Sequence, residues 1–269
     1  MRKFIAGVVF LLFAGPLIAG RPSIAGPAAA PTVTEIVERA NHAAYYGGDD
    51  FRAAVKMVIT DARGRERERE LVMLRRDTAD GGDQKFYVYF EKPGDVRGMV
   101  FMVHKHPGRD DDRWLYLPAL DLVKRIAASD KRTSFVGSHF VYEDVSGRGV
   151  DEDSHELIET TESRFVIQST PRDPAGVEFS SYVMWIDRAT FLPMKAEYKD
   201  RQGRPFRQVE ALEVETVQDL PTIVKSRARD LITGGETVTA FTGIRYNLGL
   251  EDKIFTERYL RRPPRELRK

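Results

Sequence analysis

The run Met99-Val100-Phe101-Met102-Val103 constrains this chain more than any other stretch. Between Arg97 and His104 it reads as a β-strand, and successive side chains of a strand point to opposite faces. Met99, Phe101 and Val103 then face one way, and Val100 and Met102 the other. A strand that is apolar on both faces needs cover on both. In an antiparallel sheet that means a helix or lid on one side and a further layer on the other, or one face lining an apolar cavity.

The surrounding chain keeps the period of two. Phe51–Thr60 and Arg65–Arg76 read as a hairpin around the turn Asp61-Ala62-Arg63-Gly64. The charged start Arg65-Glu66-Arg67-Glu68-Arg69-Glu70 places arginines on one face and glutamates on the other, as on a solvated arm with cross-strand charge pairs. Lys85–Glu91 puts Phe86, Val88 and Phe90 on one face. Trp114–Leu117 is stopped by Pro118, and Leu122–Ile126 alternates apolar with basic residues. A polar link, Ser129–Ser134, then leads to Phe135, Phe140 and Tyr142. Further strands are expected at Glu156–Glu162, Arg164–Thr170, Val177–Asp187, Phe191–Lys199, Pro205–Val217, Thr222–Asp230 and Glu236–Asn247. The total is roughly eleven or twelve strands at a spacing of about 8–12 residues, the pattern of an all-β sandwich or barrel. One helix precedes them, Thr32–Tyr46, capped by Thr32 or Thr34 and ended by Gly47-Gly48. Its face of Ile36, Ala40, Ala43 and Ala44 suits packing on a sheet. No βαβ rhythm and no break in composition divides the chain, so residues 31–269 are expected to form one domain.

Residues 1–30 carry the marks of a signal peptide: Arg2 and Lys3, the apolar run Phe4–Ala19, and the small-residue exit Ala28-Ala29-Ala30. The apolar run falls short of the roughly 20 residues needed to span a bilayer. A cleaved, periplasmic protein is therefore expected. The absence of cysteine rules out disulfides, thiolate catalysis, thiolate metal sites and a lipid-modified N-terminal cysteine. A net charge of +1 gives no footprint of a nucleic-acid binder.

No catalytic constellation stands out. His104 and His106 share a strand face at a spacing that metal sites use, with a third ligand to come from His42, His139, His155 or a carboxylate. The preferred reading is a strand end with two exposed histidines. Asp110-Asp111-Asp112 reads as a solvated loop without the spacing of a calcium site. Ser138-His139 is not a nucleophile elbow. No catalytic residue, metal or cofactor is assigned. The tail Lys253–Lys269 holds seven basic and two acidic residues. Phe255, Tyr259 and Leu260 are expected to dock on the sheet, and Arg261–Lys269 to fray.

Two groups of residues resemble a known family. The first is Arg113-Trp114-Leu115-Tyr116-Leu117-Pro118-Ala119-Leu120, then Val123-Lys124-Arg125-Ile126, then Ser134-Phe135-x-Gly137-Ser138-x-Phe140-x-Tyr142-Glu143-Asp144. The second is Asn247-Leu248-Gly249-Leu250-x-Asp252-x-x-Phe255-Thr256-x-x-Tyr259-Leu260. Together they resemble the periplasmic proteins described as outer-membrane-lipoprotein-sorting-like. The resemblance implies a mainly β (α+β) lipoprotein-carrier fold: a single unclosed antiparallel β-barrel of about eleven strands, with short helices packed in or over its concave face. It also implies a carrier that binds a lipid or lipoprotein acyl chain and exchanges it with an inner-membrane exporter of the RND type, touching membranes transiently. No enzyme activity is implied.

On that reading the cavity lining is drawn from Met99, Phe101, Trp114, Tyr116, Phe135, Phe140, Trp185 and Met194, with Lys124 and Arg125 near the mouth to meet a head group or partner. Two other readings remain open. One is an envelope binding or sensor module that docks on an RND-type transporter without carrying cargo. The other is a metal-dependent hydrolase built on His104 and His106.

Overall fold

The computed structural model describes residues 30–268. The expected signal peptide, apart from Ala30, lies outside the described residues, as does Lys269. Helix α1 (Val33–Tyr45) starts at Thr32, whose hydroxyl accepts from the Glu35 amide while the Glu35 carboxylate accepts from the Thr32 amide. This reciprocal cap satisfies amides that the first turn leaves free. The strands follow as β1 (Asp50–Thr60), β2 (Glu66–Asp77), β3 (Gln84–Lys92), β4 (Val100–Lys105), β5 (Asp112–Leu117) and β6 (Leu122–Ile126). After the short helix α2 (Tyr142–Ser146) come β7 (Asp153–Thr160), β8 (Arg164–Pro171), β9 (Ser181–Asp187), β10 (Pro193–Lys199), β11 (Pro205–Val217), β12 (Leu220–Asp230) and β13 (Glu236–Tyr246). Helix α3 (Glu257–Arg261) lies in the C-terminal segment.

All thirteen strands form one antiparallel sheet in the order β6-β5-β4-β3-β2-β1-β13-β12-β11-β10-β9-β8-β7. The chain enters at the middle and steps outward by hairpins to the β6 edge. It then crosses to the β7 edge and steps back until β13 pairs with β1. The two edges, β6 and β7, do not pair with each other, so the curled sheet stays open. Thirteen strands exceed the expected eleven or so because short arms such as β5 and β6 each hold a full place in the sheet.

Strand β4 is buried on both faces, and the two covers are separate. On the concave face Phe101 and Val103 join Val55, Leu71, Phe86 and Val88, and the crossover between β6 and β7 lays Phe135 and Tyr142 over them. The Phe135 and Tyr142 rings meet edge to face, with centroids 5.6 Å apart. On the convex face Val100 and Met102 join Val72, Leu74, Tyr87 and Trp114, and the C-terminal segment covers them with Phe255, Leu260 and Leu267. From Arg262 to Arg268 the tail is therefore not frayed. Leu267 is buried, and Arg52 on β1 donates to the carbonyls of Glu266 and Leu267. Sequence composition gives charge, but these main-chain contacts are visible only in three dimensions.

A set of buried polar side chains on the concave face grips the helix ends. Arg75 and Gln84 both donate to the Tyr45 carbonyl at the end of α1. Lys105 donates to the Ser146 carbonyl at the end of α2. The carbonyls at a helix end lack intrahelical partners and favour nearby cations.

The crossover is tied at its far side by ion pairs between side chains. Glu143 is buried and accepts from Arg132 at 2.8 Å and from Arg148 at 3.2 Å, with Lys131 at 3.3 Å. Arg132 also reaches Glu178, and Arg148 reaches Asp153 at the start of β7. Burial alone would raise the Glu143 carboxyl, but Arg132, Arg148 and Lys131 hold it below the ordinary glutamate range.

Candidate functional site

Helix α1 and the crossover do not fill the concave face completely. Between them and the sheet lies a cavity of ≈ 660 Å³. That is within the range of small-molecule sites, about 300–1,000 Å³. One wall is α1, which presents Ala40, Ala43, Ala44 and Tyr45. Small residues hold the helix close to the sheet without closing the space. The floor is apolar on β1 to β3, with Val55, Met57, Leu71, Met73 and Phe86. On β9 to β13 it continues with Met184, Ala196, Val209, Ala211, Ser226, Thr239 and Phe241. Phe135, Phe140 and Val145 close it from the crossover side.

The charged groups around this space have partners on the chain. Arg75 is 3.0 Å from Asp77, Arg148 is 2.9 Å from Asp153 and Lys195 is 3.0 Å from Glu197. Asp144 pairs with Arg207, and Glu210 with Arg227. An unpaired charge facing an apolar space would be costly, so the pairing leaves a wall suited to hydrocarbon. Burial raises the Tyr45 phenol, with Asp144 beside it adding to the effect, so it stays neutral at this wall.

The sequence-expected lining residues fall into four places. Phe135 and Phe140 are on the cavity wall. Met99 and Phe101 lie in the concave cluster next to Phe135, behind the lining; the Phe101 and Phe135 ring centroids are 5.5 Å apart. Trp114 and Tyr116 pack in the convex cluster beneath the C-terminal segment. Their neighbour Leu115 takes the concave position, because the pleat sends adjacent residues to opposite faces. Trp185 shares a face with its cross-strand partner Lys195, whose Nζ lies 4.3 Å from the indole centroid, and Met194 sits at a bulge where β9 and β10 shift register. Neither of these two borders the cavity. Lys124 and Arg125 are exposed on the edge strand β6, and Arg125 pairs with Asp112.

The residues missed from the sequence are the small side chains of α1 and the apolar rows of β1, β2 and β9. Their alternation was visible, but not that their face is the concave one.

The histidines do not converge. His104 meets the Phe255 carbonyl at 2.8 Å, and burial holds its imidazole below the ordinary value. His106 lies 2.7 Å from Asp83. Both are half-buried rather than exposed. Asp111, expected in a solvated loop, instead pairs with buried Arg113 and accepts from the His106 amide. Among the described residues no group of three or more His, Asp or Glu is placed to hold a metal ion. Nor is any described helix long and apolar enough to cross a membrane. The ring of His139 lies 2.9 Å from the Thr237 hydroxyl, away from Ser138.

Comparison with known proteins places this architecture. A family model described as an uncharacterized protein matches residues 82–262, more than half of the chain. No curated protein matches the sequence. Among solved structures, the chain is similar to a DUF1329 family protein from Desulfovibrio piger, with 27% identity and a TM-score of 0.77 over 84% of this chain and 97% of that one. A protein domain from Vibrio parahaemolyticus, named for outer membrane lipoprotein sorting, is 29% identical, with a TM-score of 0.77 over 85% and 98% of the two chains. A LolA superfamily protein from Nitrosomonas europaea shares the fold at 20% identity, with a TM-score of 0.66 over 86% and 100%.

Proposed function

We propose that this chain, which belongs to the DUF1329 family, is an exported, non-enzymatic carrier that shelters the hydrocarbon of a lipid or lipoprotein acyl chain. The observation that carries this reading is the ≈ 660 Å³ cavity on the concave face, apolar in its lining and surrounded by charges already paired within the chain. Each methylene moved from water into such a space is favoured by about 0.8 kcal/mol. A single long chain therefore exceeds the ordering costs of binding by a useful margin. The likeness to a domain named for lipoprotein sorting supports the same class of cargo.

Phe135 and Phe140 are the proposed contacts from the crossover, with Met99 and Phe101 backing them. Lys124, on the edge strand and on the same face as buried Ile126, is the proposed meeting point for an anionic head group or a partner. The periplasm is the proposed location, and an inner-membrane RND-type exporter the proposed partner in the exchange. That last element rests on the family resemblance alone.

The test is native mass spectrometry, with lipid extraction, on protein purified from cells expressing the full-length chain. A co-purifying lipid that is lost on denaturation is expected. Protein that is empty from several hosts and takes up no added acyl lipid would overturn the carrier reading.

A further inference from the structure

The turn joining β5 to β6 holds large apolar side chains out of the fold. Leu120 is 71% exposed and Leu122 is 45% exposed, with exposed Ala119 beside them. The turn makes contacts on both sides. Asp121 adopts a left-handed conformation, φ 44°. Its carboxylate accepts from the Tyr116 hydroxyl at 3.2 Å and from Arg261 Nε at 2.8 Å. The Pro118 ring rests against the backbone of Gly98 in the β3–β4 turn, where a Cβ would lie 3.5 Å from Pro118 Cγ. Leu120 thus projects from a turn that is tied to α3 through Arg261 and rests on the β3–β4 turn through Pro118.

Basic residues ring this projection. Lys124 follows it on β6, Arg97 lies next to Gly98, and Arg262 follows Arg261, the residue tied to Asp121. All three are exposed, and none has an ion-pair partner among the described residues. Three of the nearby acids are paired within the chain: Asp121 with Arg261, Asp95 with Arg69 at 3.4 Å, and Asp112 with Arg125.

We propose that the Pro118–Leu122 turn is a docking tip for an anionic lipid bilayer, with Leu120 and Leu122 entering the interface and Lys124, Arg97 and Arg262 meeting the headgroups. Protein–protein docking needs about 800 Å² of surface from each partner, which one turn does not offer. Insertion at a membrane surface needs only a small apolar element beside positive charge. Each lysine or arginine near an anionic surface strengthens binding by about fivefold, and salt weakens that share. The inference goes beyond cargo binding and does not need an occupied cavity.

The test is co-sedimentation of the purified protein with vesicles of phosphatidylglycerol in phosphatidylcholine, against phosphatidylcholine alone. Salt-sensitive binding to the anionic vesicles is expected. Leu120→Glu with Leu122→Glu should lower it at least tenfold, and Lys124→Glu with Arg262→Glu by a similar factor. Leu212→Glu, at an exposed site elsewhere on the sheet, should leave it unchanged. No binding above the protein-alone control, equal binding to uncharged vesicles, or equal binding by the leucine double variant would each overturn the proposal. So would capture of the tip by a transporter domain when vesicles are not bound. Measuring the cavity's lipid content on the same preparations keeps the two readings apart, since an empty cavity with intact vesicle binding counts only against the carrier.

Discussion

Arg75 Nη1 lies 2.6 Å from the carbonyl oxygen of Tyr45, joining the concave face of β2 to the last residue of α1. The same guanidinium donates to the Gly47 carbonyl at 2.7 Å and pairs with Asp77 at 3.0 Å. Helix α1 walls the cavity, so this side chain, together with Gln84 on the same carbonyl, helps fix how far the wall stands from the floor.

Replacing Arg75 by Met should therefore cost more than its buried area suggests. Asp77 would be left as a buried carboxylate without its cation, a loss of about 3–5 kcal/mol. Arg75→Lys should recover only part, because one ammonium cannot reproduce the planar fork. Chemical denaturation measures the loss, and hydrogen exchange should show α1 amides opening first. Unchanged α1 protection in Arg75→Met would contradict this role.

Lys105 is buried, and burial pulls its ammonium down to about 8. In the unfolded chain it titrates near 10.4. Between those values the unfolded state binds more protons, so stability from this group rises as pH increases. The expected gain is of order 1–3 kcal/mol between pH 8 and 10. Urea denaturation of the wild type and Lys105→Met across that range should show the slope in the first and not the second.

Glu143 behaves in the opposite sense. Its carboxyl is held below the ordinary range despite burial, by Arg132, Arg148 and Lys131. Its contribution is complete above the unfolded glutamate value and is lost as pH falls through the lower folded value. The crossover should therefore loosen only below about pH 4. Binding of a hydrophobic dye should rise there, and Glu143→Gln should move that rise toward neutrality. A dye response identical in the two proteins would remove Glu143 from the clasp.

Ala211 lies on the cavity floor. Ala211→Trp should fill much of the space and lower co-purifying lipid by about tenfold or more, with little change in the far-ultraviolet spectrum. Filling a space that already exists avoids the overpacking cost of about 1–3 kcal/mol expected in a solid core. A marked loss of stability in the empty protein would argue that no such space exists in solution.

Leu267 docks the end of the chain on the convex cluster. Leu267→Ala should cost about 2–3 kcal/mol, as for other buried leucines. A change within experimental error would restore the expectation of a frayed tail.

Much of this fold was readable from the residues. Alternation marked the strands, Thr32 and Glu35 marked the start of α1, and the two-sided run Met99–Val103 required two covers. The docking of Phe255, Tyr259 and Leu260 followed from the same need, and these residues do lie against the sheet; Tyr87 donates to the Tyr259 carbonyl at 2.7 Å. The cavity wall was less readable. Phe135 and Phe140 are legible as an aromatic patch that follows the polar link Ser129–Ser134. Trp114 stands in the motif Arg113–Leu120 yet packs on the convex face, and Trp185 does not border the cavity.

The sequence by itself determined which residues share a strand face, and that Val100 and Phe101 must be covered from opposite sides. It could not determine which face is hollow. A period of two sorts side chains into two sets but carries no sign for the curvature of the sheet. That sign came from tertiary structure: β13 pairing with β1, the crossover from β6 to β7 passing over one face, and the C-terminal segment taking the other. These contacts join residues up to some two hundred positions apart, as when the Leu250 amide donates to Asp50. Local pattern cannot encode a choice that is settled only when such distant segments meet.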